Sequence, residues 1–277
     1  RELTPQASAS ANSATRTSVK ISFSWRKDTN HAHIITIELI LRQDRRVGNP
    51  KEDSDGMEAI DLALLEAECI SICQEMIRIP SVNHGEGVGD ERAIASYVAE
   101  KLNEVGIACE LIVTGENRVN VVANIEGADT SRPGLVVHGH LDVVPANADD
   151  WSVDPFGGVI KDGYLWGRGA VDMKDMDAML LASIRMWQRV GYKPPRNILL
   201  IFFADEEASG TYGSRWLVKN RPELFKGYAE AISEVGGFSV TITGDHRLYL
   251  IESAQKGIQW LKLSAKGDDE AMFVDLD

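Results

Sequence analysis

No apolar run in this chain reaches the roughly 20 residues that a bilayer-crossing helix needs, so no membrane partner is expected. Cysteine is scarce as well. Cys69, Cys73 and Cys109 are odd in number, and the first two lie one helical turn apart in an apolar stripe. Buried free thiols in a reducing, cytoplasmic compartment are therefore expected, rather than disulfides or thiolate ligands. Positive charge is short: 29 Lys+Arg stand against 42 Asp+Glu, a net charge of −13 that argues against a nucleic-acid partner and says little about substrate. Methionine is missing before Met57, and the same stretch lacks the apolar core of a secretory signal.

That amino end differs from the rest in charge. Residues 1–50 hold 8 Lys+Arg against 4 Asp+Glu, net +4, which leaves 21 against 38, net −17, for the remainder. Such asymmetry marks a separate tail or a different origin. Residues 1–18 are rich in Ser, Thr and Ala, closer to a transit peptide than to a secretory signal; the preferred reading is sequence upstream of a start at or near Met57. Residues 1–56 are expected to be a poorly structured N-terminal extension.

From Met57 onward about 220 residues remain, the size of one α/β domain. Apolar periodicity predicts a helix over Glu58–Arg78, ending before Pro80, and another over Asp90–Val105, ending at Gly106. Strands follow over Ala108–Val113, Val119–Ile125 and Gly134–Val137, then a helix over Met173–Val190 and a strand over Asn197–Phe203. This alternation indicates a mostly parallel sheet with helices on both faces.

Chemistry concentrates just past the apolar strands. His138-Gly-His140-Leu-Asp142 follows the first, and residues two apart on an extended backbone face the same way. Asp142 can then hold one ring nitrogen of His140 while the other binds a metal. His138, pointing away, reads as a core or supporting histidine. Gly167-Arg-Gly-Ala-Val-Asp172 leads into the third helix; Asp172 there is either an N-cap or a carboxylate bridging two cations. Met173, Met176 and Met179 recur at helical spacing and read as core. Ala204-Asp-Glu206-Glu207 hangs off the most apolar strand, and three adjacent acids in that place call for a dication as counter-charge. One glutamate can ligate while its neighbour serves as general base. Histidine with carboxylates and no thiolate suits Zn²⁺.

Taken together, in this order, the motifs resemble those of the dinuclear zinc hydrolases that include glutamate carboxypeptidase, succinyl-diaminopimelate desuccinylase, acetylornithine deacetylase and aminoacylase, over roughly Ile60 to Gly267. The resemblance implies a phosphorylase/hydrolase-like zinc peptidase catalytic domain. It implies that His140 binds one metal and Asp142 orients it, that Asp172 bridges two metals, that Glu206 is the general base and Glu207 a ligand of the second metal. The remaining ligand matches Glu234 in Ala229-Glu-Ala-Ile-Ser-Glu234-Val-Gly-Gly237, and the Asp172–Met173 peptide bond is expected to be cis. The reaction implied is hydrolysis of an amide bond in a peptide or N-acyl amino acid, with two Zn²⁺ per complete site and Co²⁺ or Mn²⁺ as alternatives.

Two departures qualify the resemblance. Leu248–Lys266 has the look of the strand pair leading into the family's lid and dimerisation domain, after which Gly267–Asp277 reads as a divergent tail. The family's Gly-His-Gly motif is not found, and His246, in Thr243-Gly-Asp-His246, reads as a hairpin turn. The expectation is a partial catalytic domain over residues 57–267, without the homodimer-forming part, in which one ion binds more tightly than the other and hydrolysis is severely impaired. The rival readings are an inactive fragment or metal-binding interaction module, and a metal-dependent phosphoesterase.

Overall fold

The computed structural model describes residues 17–27, 33–43, 61–234, 239–243 and 246–249, with side chains over 61–234. Within the span 1–56, expected to be a poorly structured extension, the described residues form two strands that pair antiparallel, β1 (Thr17–Lys27) and β2 (His33–Gln43), in register from Thr17 opposite Gln43 to Lys27 opposite His33; the rest of that span lies outside the described residues. The signal for them is in the sequence. Val19, Ile21, Phe23 and Trp25 alternate with Ser, Lys and Arg, and Ile35, Ile37, Leu39 and Leu41 recur at the same two-residue period of a strand.

The helices begin and end where local chemistry dictates. Helix α1 (Leu62–Ile77) is capped by Asp61, whose carboxylate accepts from the Leu64 amide at 3.0 Å, and stops ahead of Pro80. Cys69, Ile72, Cys73, Met76 and Ile77, three and four apart, form its buried face. Helix α2 (Arg92–Asn103) buries Ile94, Ala95, Val98, Ala99 and Leu102. Strands β3 (Cys109–Gly115), β4 (Arg118–Ile125) and β5 (Gly134–His140) follow. Ahead of the glycine-rich stretch Gly167–Asp172 lies a small hairpin, β6 (Val159–Lys161) and β7 (Tyr164–Trp166), turned by Asp162 and Gly163, both at positive φ. Helix α3 (Lys174–Val190) ends at Gly191, whose φ of 70° gives it the left-handed cap that glycine adopts without penalty. Then come β8 (Ile198–Phe203), α4 (Ser214–Asn220) and β9 (Tyr228–Ile232), and an antiparallel pair of β10 (Ser239–Thr243) and β11 (His246–Tyr249), in which His246 is the first residue of β11 and pairs with Thr243.

The main sheet has the order β3-β4-β8-β5-β9. Pairings β8–β5 and β5–β9 are parallel, β3–β4 and β4–β8 antiparallel, so four strands run one way and only β4 opposes them. Every residue of β8 is buried, as a strand covered on both faces requires. On one side α1, α2 and α3 pack on Val119, Val121, Ala123, Leu200 and Phe202; on the other, Leu217 of α4 packs on Ile112, Val122, Leu199 and Ile201. The three adjacent parallel strands β8, β5 and β9 therefore end together at one edge. An open α/β sheet presents its functional side chains there.

Candidate metal centre

His140 is the last residue of β5 and is 1% exposed. Its Nδ1 lies 2.9 Å from the main-chain carbonyl of Asp142 and 3.6 Å from that residue's carboxylate. A carbonyl can only accept, so Nδ1 carries a proton and Nε2 is turned to the crevice. The sequence reading had the Asp142 carboxylate orienting the ring; the backbone oxygen of the same residue is the closer partner.

Around Nε2 three acids gather from three places in the fold. Asp172 Oδ1, just before α3, is 2.9 Å away; Glu234 Oε2, two residues past β9, is 3.2 Å; Glu206 Oε2, past β8, is 3.8 Å. Ligand atoms of His140, Asp172 and Glu234 all lie within 4.8 Å of one another. Tetrahedral zinc with ligands at about 2.1 Å separates them by about 3.4 Å, so this trio fits a divalent cation. Asp172 is exposed to the crevice and caps nothing: the helix N-cap is Met173, without a side-chain cap bond, and the Asp172–Met173 bond is cis.

The electrostatics favour positive charge at this point. Burial alone works against the His140 imidazolium, but hydrogen bonds to Asp142, Asp172 and Glu234 outweigh it and hold the ring protonated well above its ordinary value. A proton and a dication compete for the same place in such a cage. Burial raises the Glu206 carboxyl, with repulsion from Glu234, Asp142 and Asp172 adding to it. Glu207 is pushed up to about 7, first by burial and then by Asp172. A second cation would relieve both.

Glu207 does not join the His140 trio. It faces, with Asp172, a cavity of about 460 Å³ whose other walls include Pro145, Trp151 and Arg168, the guanidinium lying 5.4 Å above the Trp151 ring. His138 stands edge-on to Phe203 at 5.2 Å, and burial lowers its pKa.

The Asp142 carboxylate is fully buried and grips the next loop. Oδ1 accepts from the Glu206 amide at 2.9 Å and Oδ2 from the Glu207 amide at 3.0 Å. Burial would raise its pKa, yet hydrogen bonds from His140, Asn83 and Glu206 hold it below the usual carboxylate range. Asp205 departs from the picture of three solvated acids: at φ 61° it turns inward, 2% exposed, accepting from Asn83 at 3.0 Å and from the Tyr212 amide at 3.1 Å. Asn83, Glu91 and Arg118, all buried around these acids, went unread in the sequence, where nothing in a lone Asn, Glu or Arg signals a partner 27 to 122 residues away.

Residues 136–253 match the family described as peptidase family M20/M25/M40. The chain is 27% identical over 203 residues to aminoacylase-1 of Sus scrofa, covering 73% of this chain and 48% of that protein. It is 32% identical over 205 residues to a succinyl-diaminopimelate desuccinylase of Delftia acidovorans, covering 72% of this chain and 50% of that one. The solved structure of human carnosine dipeptidase 1 superimposes with a TM-score of 0.53 at 22% identity, over 62% of this chain and 39% of the other, a likeness of fold. The chain thus spans about half the length of the curated relatives it matches.

Proposed function

We propose, for a chain that belongs to peptidase family M20/M25/M40, metal-dependent hydrolysis of an amide bond in a peptide or N-acyl amino acid, with zinc as the metal. The observation that carries this reading is the convergence of Asp172, Glu234 and Glu206 on the single ring nitrogen of His140. His140, Asp172 and Glu234 would hold one ion; Asp172 and Glu207 would face a second. A donor set of imidazole and carboxylates without thiolate suits zinc. When bound, such a cation supplies Lewis acidity, polarising an amide carbonyl and making water acidic enough to lose a proton near neutral pH.

The residues of the chain do the rest. Glu206 Oε2, beside the ligand trio yet half exposed to the crevice, is placed to take a proton from water and return it to the leaving amine. Asp142 fixes the backbone of both glutamates through their amides and, through its carbonyl, the tautomer of His140. The cavity beside Asp172 and Glu207 offers Trp151 and Pro145 as apolar walls for a substrate side chain. The three free thiols, Cys69 and Cys73 among them buried, suit a reducing compartment, for which we propose the cytoplasm. We assign the catalytic unit to residues 57–267, between an amino-terminal extension and a carboxyl-terminal tail.

An assay on the zinc-, cobalt- and manganese-loaded protein tests this, with N-acyl amino acids, dipeptides and phosphate esters side by side. Release of free amino acid that chelation stops and Glu206→Gln abolishes supports the reading. Turnover of phosphate esters alone would replace it with the phosphoesterase, and zinc binding without any turnover with a metal-binding module.

A further inference from the structure

Beneath the metal centre lies a second layer of polar residues that touches no crevice. The strand-like stretch Ser81–Asn83 is laced onto the residues after β5: Ser81 donates its hydroxyl to the Leu141 carbonyl at 2.6 Å, the Val143 amide donates to Ser81, and the Asn83 amide donates to Val143 at 2.8 Å. Asn83 is thereby set against Asp142 with its side chain 3% exposed. Its Nδ2 donates to Asp142 Oδ2 at 2.7 Å and to Asp205 Oδ1 at 3.0 Å. Its Oδ1 accepts from the Gly85 amide at 3.0 Å and from Arg118 Nη2 at 3.2 Å. The amide can face only one way: reversed, its oxygen would meet two carboxylates and its NH₂ a guanidinium.

Arg118, with no exposed surface, completes the layer by donating to Glu91, itself fully buried. Room for that guanidinium exists because residue 89 is glycine; a Cβ there would run into it. The chain of bonds therefore reads Glu91, Arg118, Asn83, and then forks to Asp142 and Asp205. Those two acids hold both ends of one turn. Asp142 accepts from the Glu206 and Glu207 amides, and Asp205 is the residue before them, kept at positive φ with its own carboxylate bonded to Tyr212.

We propose that Asn83 is a positioning residue: it clamps Asp142 to Asp205 so that the Asp205–Glu207 turn presents both glutamates to the cation site. Nothing else among the described residues donates a side-chain hydrogen bond to both acids. Within this layer Glu91 Oε2 and Arg118 Nε have no partner, but the Asn83 amide uses both N–H groups and its oxygen, and a polar group so fully bonded specifies one geometry where an apolar filling would permit several. The consequence for metal binding rests on the metal-dependent reading above; the clamp itself does not.

The test compares wild type with Asn83→Ala and, because the first may fail to fold, with Asn83→Ser, which leaves a smaller gap and a hydroxyl donor. Two measurements are made on each: backbone amide hydrogen exchange of the metal-free protein, resolved over residues 204–210 and over β8, and zinc affinity by calorimetry. Exchange over 204–210 is expected to quicken by about tenfold or more with β8 unchanged, and zinc to bind about 10- to 100-fold more weakly, the range for loss of a residue that supports ligands. Unchanged exchange and affinity in a folded variant overturn the proposal. So does exchange that quickens equally throughout the sheet, which would make Asn83 a general stabiliser. Should wild type itself take no zinc, the metal reading fails and the exchange comparison alone judges the clamp.

Discussion

Strand β8 and the turn that follows it are ten residues of continuous chain built from opposite materials. From Ile198 to Phe203 every side chain is apolar and buried between two layers of helices; from Asp205 to Glu207 every side chain is an acid. The first part lowers free energy by leaving water. The second raises it, since burial at the crevice pushes the Glu206 and Glu207 carboxyls away from their charged forms. What the contrast teaches is a division within one sheet: the interior supplies the stability, and the edge uses some of it to hold groups in places they would not choose. Breaking either half should leave the other recognisable.

The largest effect is expected in the interior. Phe202→Ala removes a side chain with no exposed surface and should cost about 3–5 kcal/mol of unfolding free energy in urea titration. The folded fraction should keep its zinc affinity. Next, His140→Ala removes the group on which the acids converge; zinc affinity measured by calorimetry should fall at least about 100-fold, about 2.7 kcal/mol. Stability of the metal-free protein should fall far less than with Phe202→Ala.

A smaller effect of opposite sign sharpens the contrast. Asp175, in the first turn of α3, is buried with Oδ1 unpartnered, and burial, with Asp172 and Glu234 adding, pushes it up to about 8 from an ordinary 3.8. An acid whose folded pKa is raised binds its proton more tightly when folded. The stability this contributes is fully present below pH 3.8 and is lost as pH rises through about 8. Asp175→Asn, which cannot ionise, should therefore match wild type near pH 4 and unfold at higher urea near pH 9, both without metal. Equal stability at both values would show that water reaches this carboxyl. The smallest effect belongs to the half-exposed Cys109 on edge strand β3: Cys109→Ser should shift stability by less than about 0.5 kcal/mol. It should nonetheless abolish native-state alkylation, because burial pushes Cys69 up to about 12 and Cys73 well above its ordinary value.

Much of this architecture was legible in the residues. Helices α1, α2 and α3 and strands β3, β4, β5 and β8 fall within a few residues of where periodicity predicts them, because each buries one face or both against a single core. The β1–β2 ladder was legible too, in its alternation, but was masked by the charge and composition of the tail that carries it. Glu234 was visible only through resemblance; taken alone it is one acid after a short strand.

The sequence by itself determined the periodicities, hence the elements, and the residue types at the ends of the apolar strands, hence the kind of chemistry available there. Those are local properties, carried by neighbours in the chain. Only the tertiary structure decided that β9 lies beside β5, bringing Glu234 within 3.2 Å of a histidine 94 residues earlier. It also decided that Asp142 holds His140 chiefly by its carbonyl and spends its carboxylate on the Glu206–Glu207 turn, and that Asn83, Arg118 and Glu91 close beneath them. The reason is physical: a hydrogen bond's partner is set by distance and direction in space, and sheet order, which no local pattern encodes, sets both.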